Sequence, residues 1–103
     1  MEFFVTADGR TIPGGSVFYA FYGIEGVEQF RVIQKKINVF EVHIVPGTGY
    51  SPASEARIRQ GIEKRMRSSL EVDFQYFAGF PVSPTGKFRC IVSEVATSPY
   101  PQS

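Results

Sequence analysis

One stretch with a strong helical signature, lying between strand-like runs, most constrains how this chain can fold. Ser51-Pro52 combines a preferred N-cap residue with a proline suited to the first helical position. Apolar side chains then recur every four residues, at Ile58, Ile62, Met66 and Leu70. Acidic and basic residues one turn apart mark the opposite side: Glu55 with Arg59, and Glu63 with Arg67. We therefore expect one amphipathic helix whose apolar stripe packs on a sheet.

Alternating runs before and after this helix predict strands. Apolar residues alternate with polar ones from Glu28 to Gln34 and again from Asn38 to Val45, which is the period of a half-buried strand. After the helix, a third strand is predicted by Val72, Phe74, Tyr76 and Ala78. The run Phe88–Val95 fits either a last strand or a short helix, and its pattern does not decide between them.

The register of the first two strands depends on the loop that joins them. A three-residue loop, Lys35–Ile37, pairs Phe30 with Val42 and sets Arg31 opposite Glu41 on the exposed face. A two-residue turn would instead place a charged side chain opposite an apolar one. We therefore expect the three-residue loop.

The N-terminal segment predicts a small hairpin followed by a short helix. Phe3–Thr6 is a strand-like run, and Asp8-Gly9 after it is a tight-turn signal. Pro13-Gly14-Gly15 breaks the chain again, and a helix from Ser16 to Tyr22 can follow, although its run of bulky residues would also suit a strand. The order of elements predicts an α+β fold, with a ferredoxin-like three-stranded antiparallel sheet, helices on one face and a small N-terminal hairpin.

Size and charge limit what the chain can do alone. With 103 residues, 43% of them hydrophobic, it forms one domain with little room for a deep private pocket. A net charge of +1 provides no strong field for nucleic acid. The single cysteine, Cys90, and the single histidine, His43, exclude an intrachain disulfide framework and a histidine-rich metal site. No apolar run approaches the ~20 residues that span a bilayer, so we expect a soluble, cytoplasmic domain without nucleic-acid or membrane partners.

The segment from Pro81 to Arg89 is the best candidate for chemistry. It places Lys87 directly after Gly86 and just ahead of a β-type run. Prolines stiffen the approach, while the glycine makes the backbone beside the lysine permissive. An ammonium on such a mount suits a carboxylate or phosphate outside its own domain. The loop motif alone leaves open that Lys87 is simply solvated.

This segment resembles the C-terminal signature of the AMP-forming acyl-adenylating superfamily, which includes acyl-CoA synthetases, luciferases and the adenylation domains of peptide synthetases. Four segments in order are similar to the phenylacetate-CoA ligase-like branch, which includes capsular polysaccharide biosynthesis proteins. These are Asp8-Gly9-Arg10, Val27–Gln34, Glu41–Pro46 and Gly86–Glu94. The resemblance spans nearly the whole chain, which makes chance similarity of one motif a poor explanation.

The resemblance implies that residues 1–96 form the mobile C-terminal lid of a larger ligase and that residues 97–103 form a flexible tail. A preceding adenylation domain would bind ATP with magnesium, coenzyme A and the carboxylic acid substrate. The superfamily's hinge would lie just before Met1, with Glu2 near its acidic end. The isolated lid would therefore be catalytically inactive and would hold no cofactor alone.

The resemblance also assigns expected roles to single residues. Lys87 would swing over the site during adenylation, and Gly86 would permit its close approach. Arg89 would orient the loop or pair with an acidic residue of the adenylation domain. The loops around Gly9 and Gly14-Gly15 would approach the site after the lid rotates for transfer to a thiol.

Other interpretations stay open. The chain could instead be a free-standing ferredoxin-like module that binds a small metabolite or a protein partner. An RNA-binding domain of similar layout is a weaker alternative, because the aromatic strand signature of that mode is lacking. The basic residues of the long helix could meet phosphates of coenzyme A or RNA, although such a face is more often solvated. They are Arg57, Arg59, Lys64, Arg65 and Arg67.

Three further side chains have simpler expected roles. His43 is expected to be an exposed strand residue, because no metal-type partner stands at a useful spacing. Cys90 alternates with apolar neighbours and is expected in the core. No chemistry is assigned to Gln34, which is expected simply to close the strand end.

Overall fold

The computed structural model describes residues 2–81 and 89–95 of the chain. The strands in this part are β1 (Phe3–Val5), β2 (Thr11–Pro13), β3 (Val27–Lys36), β4 (Val39–Pro46), β5 (Glu71–Tyr76) and β6 (Ile91–Ser93). A 3₁₀ helix (Gly14–Phe21) follows β2, and an α-helix, α1 (Pro52–Met66), joins β4 to β5. No helix in these ranges is long and apolar enough to cross a membrane. The predicted α+β class is confirmed.

The predicted N-terminal hairpin is also confirmed. β1 and β2 pair antiparallel, with Phe4 opposite Ile12. Gly9 has a φ of +88° at the tip of the connecting turn, and its N–H donates to the Thr6 carbonyl over 3.0 Å. This positive φ explains the Asp-Gly signal, because glycine adopts it without steric cost.

The main sheet differs from the expected three-stranded antiparallel one. It has four strands in the order β5-β4-β3-β6 and is mixed. Only β3 and β4 run antiparallel, whereas β5 is parallel to β4 and β6 is parallel to β3. The physical reason is that α1 crosses the sheet and returns the chain to the end of the sheet at which β4 begins. β5 therefore runs parallel to β4. The run Phe88–Val95, for which a strand or a helix was expected, contains the strand β6.

The register of β3 and β4 was predicted wrongly. Arg31 lies opposite His43 rather than Glu41, and Val32 lies opposite Val42. The turn contains two residues, and a bulge at Lys35 shifts the pairing between Gln34 and Lys36. Because the bulge inserts one extra residue, a two-residue turn no longer moves charged side chains to the apolar face.

The long helix begins as predicted but ends earlier. The Ser51 side chain accepts a hydrogen bond from the Ser54 N–H, and Pro52 is the first helical residue. Of the predicted stripe, Ile58, Ile62 and Met66 are buried, whereas Leu70 lies beyond the helix and packs partly against the core. The helix stops because Arg67 adopts a left-handed conformation with a φ of 59°.

The two expected Glu–Arg pairs of this helix do not form. Instead, Glu55 accepts a hydrogen bond from the Tyr76 hydroxyl, which ties the start of α1 to the end of β5. Glu63 accepts one from the Leu70 N–H over 3.0 Å, which holds the segment that leads into β5. Both carboxylates therefore join elements rather than neighbours on one helix.

The core lies between one face of the sheet and the two helices. Val32, Phe40, Val42 and Ile44 supply the sheet side of this core. The segment expected to form a helix from Ser16 to Tyr22 is the 3₁₀ helix, which buries Val17, Ala20 and Phe21 against α1 and the sheet. From the hairpin, the Phe4 ring meets Phe40 edge-on at 5.2 Å between centroids. The second face of the sheet does not pack against these helices.

Candidate functional site

The candidate site is defined by the two ends of the segment that carries Lys87. Gly86 and Lys87 lie outside the described residues, which stop at Pro81 and resume at Arg89. The described flanks are therefore Phe80 and Pro81 on one side and Arg89 and Cys90 on the other. Their contacts show how the fold holds this part of the chain.

Arg31 of β3 contacts both flanks. Its Cζ lies 5.4 Å from the centroid of the Phe80 ring, a cation–π distance. Its Nε donates a hydrogen bond to the Arg89 carbonyl oxygen over 3.1 Å. A planar guanidinium can stack on a ring and donate from its edge at the same time. One side chain on the second face of the sheet therefore links the chain before residue 82 to the chain after residue 88.

A row of rings extends from Phe80 across the same face. The centroids of Phe80 and Phe77 are 5.6 Å apart, and those of Phe77 and His43 are 5.0 Å apart. His43 Nε2 lies 3.1 Å from Glu41 Oε1. His43 is only 9% exposed, so the expectation of an exposed strand residue was wrong. The reason is that the chain continues past β5, with the Phe77 N–H bonded to the Ile44 carbonyl at 2.9 Å, and this brings the Phe77 ring over the imidazole.

Arg89 is held from a second direction by Glu2. Its guanidinium forms an ion pair with one carboxylate oxygen of Glu2, while the other oxygen accepts a hydrogen bond from the Ser93 N–H over 3.1 Å. Glu2 thus joins the N-terminal end of the described chain to both Arg89 and β6. The acidic partner expected for Arg89 in another domain has a counterpart inside this chain.

β6 is fastened at its other end by Lys35 and Glu94. Lys35 Nζ lies 2.9 Å from a carboxylate oxygen of Glu94, and this hydrogen bond raises the pKa of the Lys35 ammonium. The Glu94 N–H also donates to the Gln34 carbonyl over 2.8 Å. Such an exposed ion pair adds little stability by itself.

The glycines that were predicted for the site lie in different parts of the structure. Gly14 is buried, and a Cβ there would lie 2.3 Å from Ile91 Cγ2, so only glycine permits this approach of the 3₁₀ helix to β6. Gly15 is exposed and borders a shallow groove of about 360 Å³ together with Glu2, Arg89 and Cys90. Gly9 lies at the tip of the hairpin, away from its open end. The structure therefore brings Gly15 and Arg89 together but does not place Gly9 with them.

Sequence reasoning did not predict the contacts that Arg31, Glu2 and Gln34 make around this site. Arg31 was treated only as an exposed strand residue, and nothing local reveals a contact to a residue 58 positions away. Gln34 carried a usable signal, because it follows Phe30 and Val32 on the inward face of an alternating strand. A polar side chain at an inward position must find partners in the interior.

The described residues contain no group of three His, Cys, Asp or Glu side chains that could hold a metal ion. Cys90 is a free, half-buried thiol that packs partly against the core. Among the described side chains at this site, Arg89 carries the positive charge and Glu2 the negative charge that pairs with it.

Comparison with known proteins agrees with part of the sequence resemblance. No curated protein matches the chain. The family model described as the CapK C-terminal domain matches residues 4–94. This match covers both helices, β2 to β6, β1 from Phe4 onward, and the segment that carries Lys87. The chain therefore belongs to the CapK C-terminal domain family.

Proposed function

We propose that this chain is the mobile lid of an AMP-forming ligase, which activates a carboxylic acid as an acyl-adenylate and passes it to a thiol such as coenzyme A. The family is described as a C-terminal domain, so the chain corresponds to the C-terminal part of a larger protein. The motif from Pro81 to Arg89 supports the narrower assignment to a ligase. In this proposal the preceding domain binds ATP, magnesium and the acid, and the lid supplies Lys87.

The role of Lys87 follows from charge. A carboxylate oxygen attacks the α-phosphorus of ATP, a new O–P bond forms, and the bond to pyrophosphate breaks. Two anions must approach each other, and negative charge grows on the leaving pyrophosphate. An ammonium placed between them lowers both costs in a site from which water is excluded. Lysine suits this task because its charge is compact and its stem is long.

The observation that carries the proposal is the link that Arg31 makes between the two flanks of residues 82–88. A catalytic side chain that enters a site from another domain must be held in a fixed position, because a small displacement of its reacting group lowers the rate. Arg31 holds both flanks from the middle of the sheet, and Glu2 holds Arg89 from the other side.

The proposal assigns the second half-reaction to a different part of the same lid. After adenylation the lid rotates, withdraws Lys87, and lets a thiol reach the acyl-adenylate. Gly15 lies on the groove beside Arg89, where the absence of a side chain leaves room for an approaching group. The residues around Gly14-Gly15 are therefore the part of the described chain that we assign to this second pose.

The first test is ATP–pyrophosphate exchange by the full-length protein with a panel of carboxylic acids. Lys87→Ala should lower acid-dependent exchange by about 10²–10³-fold, because the variant loses a charge aimed at the transition state. Lys64→Ala, which removes an exposed lysine of α1, should leave exchange unchanged. Equal exchange by the two variants would rule out the proposed role of Lys87. A wild-type protein whose exchange responds to no acid would favour the free-standing binding module.

The second test concerns Arg31 as a positioning residue. Arg31→Ala removes the contacts to both flanks and should lower exchange by roughly 10–100-fold, with the folded protein intact by circular dichroism. Arg31→Lys keeps the charge but not the planar stack and edge donor, so it should not restore the rate. Lys36→Ala, on an exposed position of the same strand, is the control. Full activity of Arg31→Ala would show that the contacts of Arg31 with the two flanks do not matter for adenylation.

A further inference from the structure

A basic cavity lies away from the Lys87 flanks, between the tip of the N-terminal hairpin and the C-terminal end of α1. Its volume is about 250 Å³. The lining residues are Thr6, Arg10, Thr11, Ile12, Arg65 and Arg67. A smaller cavity next to it shares Arg10 and Arg67 and adds Asp8. Three arginines from two separate parts of the chain thus line one partly open cavity.

Arg67 holds an unusual backbone conformation at this cavity. Its φ of 59° makes it the one residue other than glycine with a positive φ in the part of the chain that the structure describes. This position follows the last helical residue, where glycine is the usual choice because a Cβ is strained there. A non-glycine residue with this backbone conformation is strained, and such strained residues cluster at functional sites. The side chain lines the basic cavity.

Arg10 is held in place by the hairpin turn. The Arg10 N–H donates to Thr6 Oγ1 over 3.0 Å, and the Thr6 N–H donates to the Arg10 carbonyl over 2.7 Å. Thr6 is buried, so this part of the turn is firmly packed. Asp8 accepts a hydrogen bond from Arg10 Nε over 3.1 Å, which orients the guanidinium and leaves its two Nη groups as donors.

The charge of the cavity is unbalanced. Arg65 lies over the Tyr19 ring, with its Cζ 5.0 Å from the ring centroid. Within the described ranges, neither Arg65 nor Arg67 pairs with a carboxylate, and Asp8 is the one acid that lines either cavity. Compensation of the helix dipole does not account for this arrangement, because Lys64 and Arg65 already lie in the last turn and Arg10 belongs to another element.

We infer that this cavity binds the phosphate group of a small phosphorylated molecule. Guanidinium groups bind phosphate through paired N–H donors, and two arginines that converge from different elements form such a clamp. Thr11 also lines this cavity, and threonine carries a hydroxyl that can donate a hydrogen bond. The volume is below the ~300–1,000 Å³ that drug-sized ligands occupy, so the cavity suits a phosphate group rather than a whole cofactor. This site is independent of Lys87 and of the proposed ligase activity.

The test is a titration of the full chain with inorganic phosphate and, separately, pyrophosphate at constant ionic strength, followed by backbone NMR. Saturable shifts are expected at Thr6, Arg10 and Thr11. Arg67→Gly should weaken phosphate binding by at least about tenfold, which is the loss of one charge-assisted contact. The same change should raise the midpoint of thermal unfolding, because glycine relieves the left-handed backbone.

Arg57→Ala is the matched control, since Arg57 is an exposed arginine of α1 outside both cavities. It removes the same charge and should leave phosphate affinity unchanged. Arg10→Gln, which keeps the hairpin backbone, should weaken binding as Arg67→Gly does. Equal losses in Arg57→Ala and Arg67→Gly would mean that only net charge matters and would overturn the inference. Titrations without saturable shifts at the hairpin tip would overturn it as well.

Discussion

Gln34 is the side chain on which several elements of this fold converge. Its amide accepts hydrogen bonds from the Val5 N–H over 3.0 Å and the Ser93 hydroxyl over 3.1 Å. It donates to the Val5 carbonyl over 2.8 Å and to the Ile37 carbonyl over 3.1 Å. The residue is fully buried, so each of these bonds replaces one to water. One amide thereby joins β1, β3, the following turn and β6.

Replacing Gln34 should therefore be costly. Gln34→Leu keeps the approximate size but leaves the Val5 N–H and carbonyl without partners, and we expect a loss of about 3 kcal/mol in the free energy of unfolding. Gln29→Leu is the control, because Gln29 lies on the same strand with its side chain exposed. Urea denaturation should give a much lower unfolding free energy for Gln34→Leu than for Gln29→Leu. Similar unfolding free energies would mean that the buried amide contributes no more than a surface glutamine.

Tyr76 predicts a pH dependence at the residue scale. Although 46% of Tyr76 is exposed, its hydroxyl lies between the Glu55 carboxylate and the Tyr50 hydroxyl. Burial, with the hydrogen bond to Glu55, raises the pKa of Tyr76 well above its usual range, and burial also raises the pKa of Tyr50. The folded state therefore keeps the neutral phenol at a pH where the unfolded state begins to ionise.

The resulting stability is present below the unfolded pKa of about 10 and is lost as pH rises above it. Unfolding free energy should decline more steeply between about pH 10 and 11 in the wild type than in Tyr76→Phe, which has no phenol at this position. Gln75→Ala, which keeps both tyrosines, should follow the wild type. Parallel declines in all three proteins, measured by urea denaturation across this range, would exclude a contribution from Tyr76.

At the scale of elements, α1 and the 3₁₀ helix approach each other through Gly61 and Ala20. A Cβ at Gly61 would lie 2.7 Å from Ala20 Cβ and 2.9 Å from Ala20 Cα. Glycine inside a helix normally costs about 1 kcal/mol relative to alanine. Here the close contact of two helices explains why glycine occupies the position.

Gly61→Ala should consequently destabilise the protein by about 1 kcal/mol or more, since the overlap outweighs the gain in helix propensity. Gln60→Ala, at the exposed neighbouring position, should change stability by less than about 0.5 kcal/mol. Adding Ala20→Gly to Gly61→Ala should recover part of the loss, because the two sites are in contact. A more stable Gly61→Ala protein in thermal unfolding would show that the helices can simply move apart.

The elements that were predictable are those with a local signature. Ser51-Pro52 and the period of Ile58 and Ile62 determine α1, and alternation determines β3, β4 and β5. The direction of β5 and the bulge at Lys35 were missed, because both depend on how α1 returns across the sheet and on the twist of the pair. These are tertiary properties without a local sequence signal.

At the scale of the whole molecule, the same division applies to the candidate site. The sequence alone indicates the segment with Lys87, because glycine, lysine and arginine stand together after two prolines. It could not indicate that Arg31 and Glu2 hold its flanks, since these contacts to Arg89 span 58 and 87 residues. In the described residues, the flanks of this segment lie near the open end of the N-terminal hairpin, whereas the basic cavity lies near its tip.

The most direct measurement compares two half-reactions in full-length Lys87→Ala: ATP–pyrophosphate exchange, and transfer of the acyl group from a supplied acyl-adenylate to a thiol. Exchange should fall by about 10²–10³-fold, while transfer stays close to the wild-type rate, because the lysine acts only where the adenylate forms. Equal losses in both half-reactions, or unchanged exchange, would contradict the proposal that Lys87 acts in adenylation.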